Sequence, residues 1–88
     1  MAMVTIRYWA AAKDAAGVAA ESLDAGTLAD ALCAALDSRD RARGERLRGV
    51  LARSSFLVDG QPAGVRPHQD IMLAETAVIE VLPPFAGG

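Results

Sequence analysis

The residues of this sequence best suited to chemistry are its last: Leu82-Pro83-Pro84-Phe85-Ala86-Gly87-Gly88. A strand pattern runs into two prolines, which have no N–H for a ladder, so the sheet is expected to end near Pro83. Residues 84–88 are then expected to project as a tail. Gly87 and Gly88 have no Cβ and can lie in a slot too narrow for other residue types. The Gly88 carboxylate at the end of such a tail suits a substrate, a group presented to another enzyme's active site. The simpler reading is a frayed terminus. The lead-in of Pro84, Phe85 and Ala86 speaks against it, because a frayed end has little reason to follow an apolar strand directly and keep an aromatic ring.

Other reactive side chains are few. His68 is the only histidine and Cys33 the only cysteine. An internal disulfide is excluded, and a zinc or haem site has no ligand set. Cys33 has no neighbouring motif that would lower its pKa and is read as structural. One cysteine, a strand pattern starting next to Met1 and no apolar run of the roughly 20 residues that span a bilayer point to a cytoplasmic protein without a signal peptide. At 88 residues the chain is expected to be a single domain, 1–88. Its net charge of −2 gives no general attraction to nucleic acid or anionic membranes.

The positioning elements follow from periodicity. Residues 3–9 alternate as a strand, with Val4, Ile6 and Tyr8 toward the core and Thr5, Arg7 and Trp9 away from it. Trp9 is thus a large apolar side chain on a polar face, covered by a loop or free for a partner. Residues 10–18 form a connection, with a short helix possible, ending at Gly17. Residues 19–24 read as a second strand, antiparallel to the first, with Leu23 its one sizeable core residue. Thr27 is a good helix N-cap, with Asp30 placed to complete a capping box. Leu28, Ala31, Leu32, Ala35 and Leu36 then make one apolar stripe to Asp37.

Residues 38–53 hold six of the nine cationic residues: Arg39, Arg41, Arg43, Arg46, Arg48 and Arg53. Leu47, Val50 and Leu51 give a second, shorter helical stripe there, weakened by Gly49. The segment reads as a solvated connection tucked onto the core, or as an electrostatic dock for an acidic partner. Nucleic-acid binding is disfavoured by Asp37, Asp40 and Glu45 and by the lack of aromatics. Residues 55–59 are a third strand, ending in an Asp59-Gly60 turn. Residues 61–70 are mostly irregular. Residues 71–73 are a short strand candidate, and Ala74-Glu75-Thr76 makes a turn. Residues 77–83 are the last strand, with Ile79 and Val81 inward and Val78, Glu80 and Leu82 outward. Strands around one good helix imply an α+β fold, a mixed sheet of four to five strands with that helix packed on one face.

This order, with the ending Leu-Pro-Pro-Phe-Ala-Gly-Gly, resembles the MoaD/ThiS family of ubiquitin-like sulfur carriers over the whole chain. Arg7-Tyr8-Trp9-Ala10 through Lys13-Asp14 to Gly17, Gly26-Thr27-Leu28, and Val58-Asp59-Gly60-Gln61 match the family's pattern, and Pro-Pro-X-X-Gly-Gly is its most specific part. Two departures are visible. The turn before the last strand usually carries Asp-Gly-Asp and here reads Ala-Glu-Thr-Ala. The basic residue after the first strand is often arginine and here is Lys13, which has no planar fork for a bidentate ion pair.

The resemblance implies a β-grasp fold and a chemistry for the tail. An E1-like adenylating enzyme (MoeB-like) would use ATP to adenylate the Gly88 carboxylate, and a sulfur nucleophile would displace AMP to leave a thiocarboxylate. The family's nearest pattern is that of the molybdopterin synthase small subunit. There the thiocarboxylate donates sulfur to a cyclic pterin precursor inside a MoaE-like large subunit, and the resemblance implies a heterotetramer of the two. The chain would bind no cofactor of its own and would be a consumed, recharged sulfur donor rather than a catalyst. Trp9, Lys13, Leu82, Pro84, Phe85 and Ala86 are the expected partner contacts. Alternatives are a carrier for thiazole, cysteine or tungsten-cofactor synthesis, a ubiquitin-like protein modifier joined through Gly88, and a non-covalent β-grasp interaction domain.

Overall fold

The computed structural model describes residues 2–84. Strand β1, Ala2–Tyr8, buries Ala2, Val4, Ile6 and Tyr8 and turns Met3 and Arg7 to solvent. This is the period of two that β-pleating imposes on a sheet with one covered face. Helix α1, Ala10–Ala16, follows at once and buries Ala12, Ala15 and Ala16. Small side chains let so short a helix lie close to the sheet. It ends on Gly17, whose φ of 82° only glycine adopts freely, and whose N–H donates to the Lys13 carbonyl at 2.9 Å. The Arg43 guanidinium packs where a Gly17 Cβ would be.

Strand β2, Ala20–Ala25, pairs antiparallel with β1, setting Leu23 opposite Val4 and Glu21 opposite Ile6. Leu23 is only partly buried, at the margin of the core. Helix α2, Leu28–Asp37, starts as the sequence suggests, with the Asp30 N–H donating to Thr27 Oγ1 at 3.1 Å. Leu28, Ala31, Leu32 and Ala35 are buried, Leu36 is partly so, and Cys33, on the flank of the stripe, is exposed.

Helix α3, Arg41–Leu51, is the main departure from expectation: at 11 residues it is longer than α2, which has 10. Asp40 caps it by accepting from the Arg43 N–H at 2.9 Å, and Leu47 and Leu51 anchor it. Gly49 does not break it, because two leucines one turn apart hold the helix by packing, which outweighs glycine's cost of about 1 kcal/mol.

Strand β3, Ser55–Val58, turns through Asp59 and Gly60, with φ of 50° and 81°, into the two-residue β4, Gln61–Pro62. Positive φ at both centres is the type I′ pattern that matches strand twist. Pro62 sits in the edge strand, where a missing N–H does least harm. A 3₁₀ turn covers His68–Asp70. The expected strand at 71–73 shrinks to a single bridge, Met72 to Thr27, with Leu28 N–H to Ile71 O and Leu73 N–H to Gly26 O beside it. Thr76 takes φ of 62° in the turn where the related pattern carries glycine, an arrangement that costs a β-branched residue roughly 1–2 kcal/mol.

Strand β5, Val78–Leu82, closes the sheet in the order β2-β1-β5-β3-β4. It runs parallel to β1 and antiparallel to β3, so it is the central strand. Among the described residues, α1 and α3 join the main helix α2 over one face of the sheet. The core between them is Val4, Ile6, Tyr8, Ile79 and Val81 against Leu28, Ala31, Leu47 and Leu51.

Candidate functional site

The tail is rooted in β5. Because β1 and β5 are parallel, with Tyr8 beside Val81, both strands end at the same edge of the sheet. Trp9 and the Leu82-Pro83 step therefore lie side by side. The Trp9 backbone N–H donates to the Val81 carbonyl at 3.3 Å and extends the ladder one step beyond β1. Pro83 is buried and Pro84 exposed, so the chain reaches the surface there. Phe85, Ala86, Gly87 and Gly88, and with them the expectation of a projecting tail, lie outside the described residues.

Trp9 is 44% exposed. Its indole N–H donates to Glu80 Oε1 at 3.3 Å, and the Arg7 guanidinium stands 5.3 Å from its ring centroid. Arg7 and Glu80 are register partners on the outer face. The ring is thus held between a carboxylate and a cation instead of moving freely. Trp9 ends β1 rather than belonging to it, because Ala10, at φ of 49°, turns the chain into α1. Arg7, Trp9, Lys13 and Asp14 line an open groove of about 470 Å³ that extends to Ala19 and Ala20. This places Lys13 on the same surface as Trp9.

Leu82 departs from its expected role. It is half-buried rather than exposed, since the central strand flanks it with β3, where its register partner is Ser55. The outer sheet face near the tail root is therefore mixed. Trp9 projects from it, while Leu82, Leu57 and Val78 are each half-buried around Arg7 and Glu80.

A second cluster lies inside, built from residues that no local sequence pattern brings together. The Tyr8 hydroxyl donates to Glu21 Oε2 at 2.6 Å, and Arg39 Nη2 donates to the same oxygen at 2.6 Å. Arg39 also donates from Nε to the Ala16 carbonyl at 3.1 Å and from Nη1 to the Ala35 carbonyl, and its guanidinium stands 5.7 Å from the Tyr8 ring. One side chain thereby ties together β1, β2 and the C-terminal ends of α1 and α2. Burial, then the hydrogen bond to Glu21 and that residue's negative charge, push the Tyr8 phenol well above its ordinary range, with Arg39 opposing in part. A cation two residues past a helix end was readable as a dipole complement. Its pairing with a residue 18 positions upstream was not.

Neither cluster contains a nucleophile with a base beside it, and no group of three potential metal ligands occurs among the described residues. No described helix is long and apolar enough to cross a membrane.

A mixed sheet in this order, helices on one face and the final strand at its centre, defines a ubiquitin-like β-grasp domain. Solved structures agree. Small archaeal modifier protein 1 from Methanosarcina acetivorans superposes with a TM-score of 0.81 at 22% identity, covering 100% of this chain and 98% of that one. A putative molybdopterin converting factor subunit 1 from Pyrococcus furiosus gives 0.72 at 20% identity, with 97% and 100% covered. A complex of subunits 1 and 2 of molybdopterin-converting factor from Helicobacter pylori gives 0.67 at 23% identity, with 98% and 99% covered. The family model of ThiS matches residues 6–88, and the chain belongs to that family. Comparison with curated protein sequences finds no match.

Proposed function

We propose that this chain is the sulfur carrier of a molybdopterin synthase, activated and charged at Gly88. The observation that carries this reading is the root of the tail. Pro83 and Pro84 end the central strand at the edge where Trp9 and the Lys13 groove lie, so the last residues start beside a surface a partner can grip. The family match runs through the terminal Gly-Gly.

The chemistry then needs little from the chain itself. A carboxylate is a poor acyl electrophile, being anionic and without a leaving group. An E1-like enzyme would join Gly88 to AMP, with pyrophosphate released, and a sulfur nucleophile would displace AMP. The thiocarboxylate formed would enter the large subunit and give up its sulfur to a cyclic pterin precursor. Gly87 and Gly88 would thread the narrow channel, while Phe85 and Ala86 would contact its mouth. The described residues supply a rigid platform and a docking face.

The test is ATP–pyrophosphate exchange with the E1-like enzyme, with circular dichroism in parallel. Deleting Gly88, or adding one residue after it, should abolish exchange and leave the fold intact, since the described core is built from residues up to Val81. Undiminished exchange by the extended chain would overturn the terminal acyl-adenylate. Intact mass of chain taken from native cells separates the second reading: oxygen replaced by sulfur marks a carrier, and isopeptide-linked partners mark a modifier. The fold shared with small archaeal modifier protein 1 is what keeps that second reading open.

A further inference from the structure

The charge of this molecule is strongly segregated. Residues 41–53 hold five arginines and one glutamate, a net charge of +4. The whole chain is −2, so all the other residues together carry −6. The cationic segment is α3 and the turn after it, on the helical side of the sheet, away from the outer face that bears Arg7 and Glu80.

The chain's own structure makes little use of these charges. Arg41, Arg46, Arg48 and Arg53 are exposed. Among the described residues, the only ion pair they make is Arg41 with Glu45 at 3.4 Å, both side chains largely in water. In that pair the cation precedes the anion, the weaker order on a helix. Arg43 is occupied by its packing on Gly17. Arg41 and Arg43 lie in the first turn, where the helix dipole disfavours cations, and the carboxylate at that end, Asp40, is engaged in capping the Arg43 N–H. Arg43 and Arg46 are three residues apart, a like-charge spacing that destabilises a helix. Arg41, Arg43 and Arg46 thus work against the helix that carries them, while Arg48, in the last turn, complements its dipole.

Their arrangement suits a carboxylate-rich surface. On a 3.6-residue wheel, Arg41 and Arg48 form one flank of the solvent face and Arg46 the other; Ala42, Gly49 and the exposed Glu45, which is paired with Arg41, lie between them. The Gly49 position is open, with nothing within 4 Å of where a Cβ would stand. A partner backbone can approach this low ridge between two sets of forked donors. Guanidinium groups match carboxylates in a bidentate way that lysine cannot. The segment has no aromatic residue on which bases could stack, and the −6 elsewhere opposes a polyanion that wraps the molecule.

We infer that the α3 face is a docking surface for an acidic segment of a protein partner. It is separate from the Trp9 surface, so its occupant and one gripping the tail root need not compete. Resting on charge placement alone, the inference is independent of the chemistry at Gly88.

The experiment is fluorescence anisotropy of a labelled peptide alternating glutamate and serine, titrated with the full chain at low and at physiological salt. Binding should weaken roughly tenfold in Arg46→Gln/Arg48→Gln and by a smaller factor, about threefold, in Arg46→Lys/Arg48→Lys, which keeps the charge and loses the fork. Circular dichroism of both variants checks that α3 persists. Equal binding by the parent and the glutamine variant would overturn the inference. So would tighter binding of a single-stranded oligonucleotide or anionic vesicles of matched charge. Sedimentation equilibrium completes the test, because a dimer that the glutamine variant abolishes would make a second copy the occupant and overturn the acidic partner.

Discussion

Two adjacent aromatic residues, Tyr8 and Trp9, are supplied with the same parts on opposite faces of the sheet. Tyr8 donates to Glu21 and has Arg39 by its ring; Trp9 donates to Glu80 and has Arg7 by its ring. Burial separates them. Tyr8 is 2% exposed, and the side chains of Arg39 and Glu21 are 7% and 21% exposed. Trp9 lies open on the surface. In low dielectric the inner trio is held by short bonds that water cannot replace, so it serves the fold. In water the outer trio contributes little to stability and keeps its ring available. The same chemistry is structural on one side and a contact surface on the other.

The largest effect expected from this contrast comes from Arg39→Ala. It strands the Glu21 carboxylate and leaves the Ala16 and Ala35 carbonyls without that donor. Urea unfolding should show a loss of about 2–3 kcal/mol. The double variant Glu21→Leu/Arg39→Met should recover at least half of that, because a buried pair replaced by apolar groups of similar volume is often near neutral. A single variant costing under about 0.5 kcal/mol, as surface substitutions do, would erase the distinction between the two trios.

Trp9→Ala comes next and should invert the pattern. Stability should fall by less than about 1.5 kcal/mol, while affinity for the large subunit or the activating enzyme should drop about tenfold, since exposed aromatic anchors dominate small interfaces. Leu82→Ala, which the sequence alone pairs with Trp9, should now cost stability as well as binding, because the central strand half-buries it. Titration calorimetry and urea unfolding on the same samples decide this. Unchanged affinity with collapsed stability in Trp9→Ala would make Trp9 a core residue.

How far the sequence reveals these features depends on how local their causes are. Alternation in β1 and β5, the Thr27 cap and the stripe through Leu28 and Leu32 are set by neighbours within a few residues, and all were legible. Helix α3 was only partly so. Its arginines and Gly49 obscured a pattern whose decisive members, Leu47 and Leu51, gain their effect from packing on distant elements. The 71–73 segment read as a strand because its composition is apolar, but its backbone partners are Gly26, Thr27 and Leu28 at the start of α2 and not a neighbouring strand. Trp9 was legible as a surface residue, whereas the reading of the tail concerns residues that, from Phe85 on, lie outside those described. Glu21 and Arg39 stayed hidden because their role arises only when β2 and the end of α2 meet. Exposure of Leu82 was misjudged because alternation tells which face a residue takes but not how well its neighbours cover it.

The smallest effect is at the hydroxyl of Tyr8. Tyr8→Phe keeps the ring beside Arg39 and removes one bond to Glu21, so it should cost about 1 kcal/mol at neutral pH. The cost should depend on pH, with a sign that follows from the raised phenol pKa. An unfolded tyrosine ionises near pH ~10, whereas the native phenol resists ionisation until higher pH. The native state therefore binds the proton more tightly, and Tyr8's contribution is complete below about pH 10 and fades as pH rises above it. The Tyr8→Phe cost should shrink over that range. Because the chain has a single tyrosine, phenolate absorbance reports this group alone. Native chain should show little phenolate at about pH 10.5, where urea-unfolded chain is largely ionised. Glu21→Gln should lower the native value by removing the adjacent negative charge, yet leave it above the unfolded one, because burial is the leading cause of the shift. Native Tyr8 ionising together with the unfolded residue would mean that the hydroxyl meets solvent, and that the inner trio is no more enclosed than the outer.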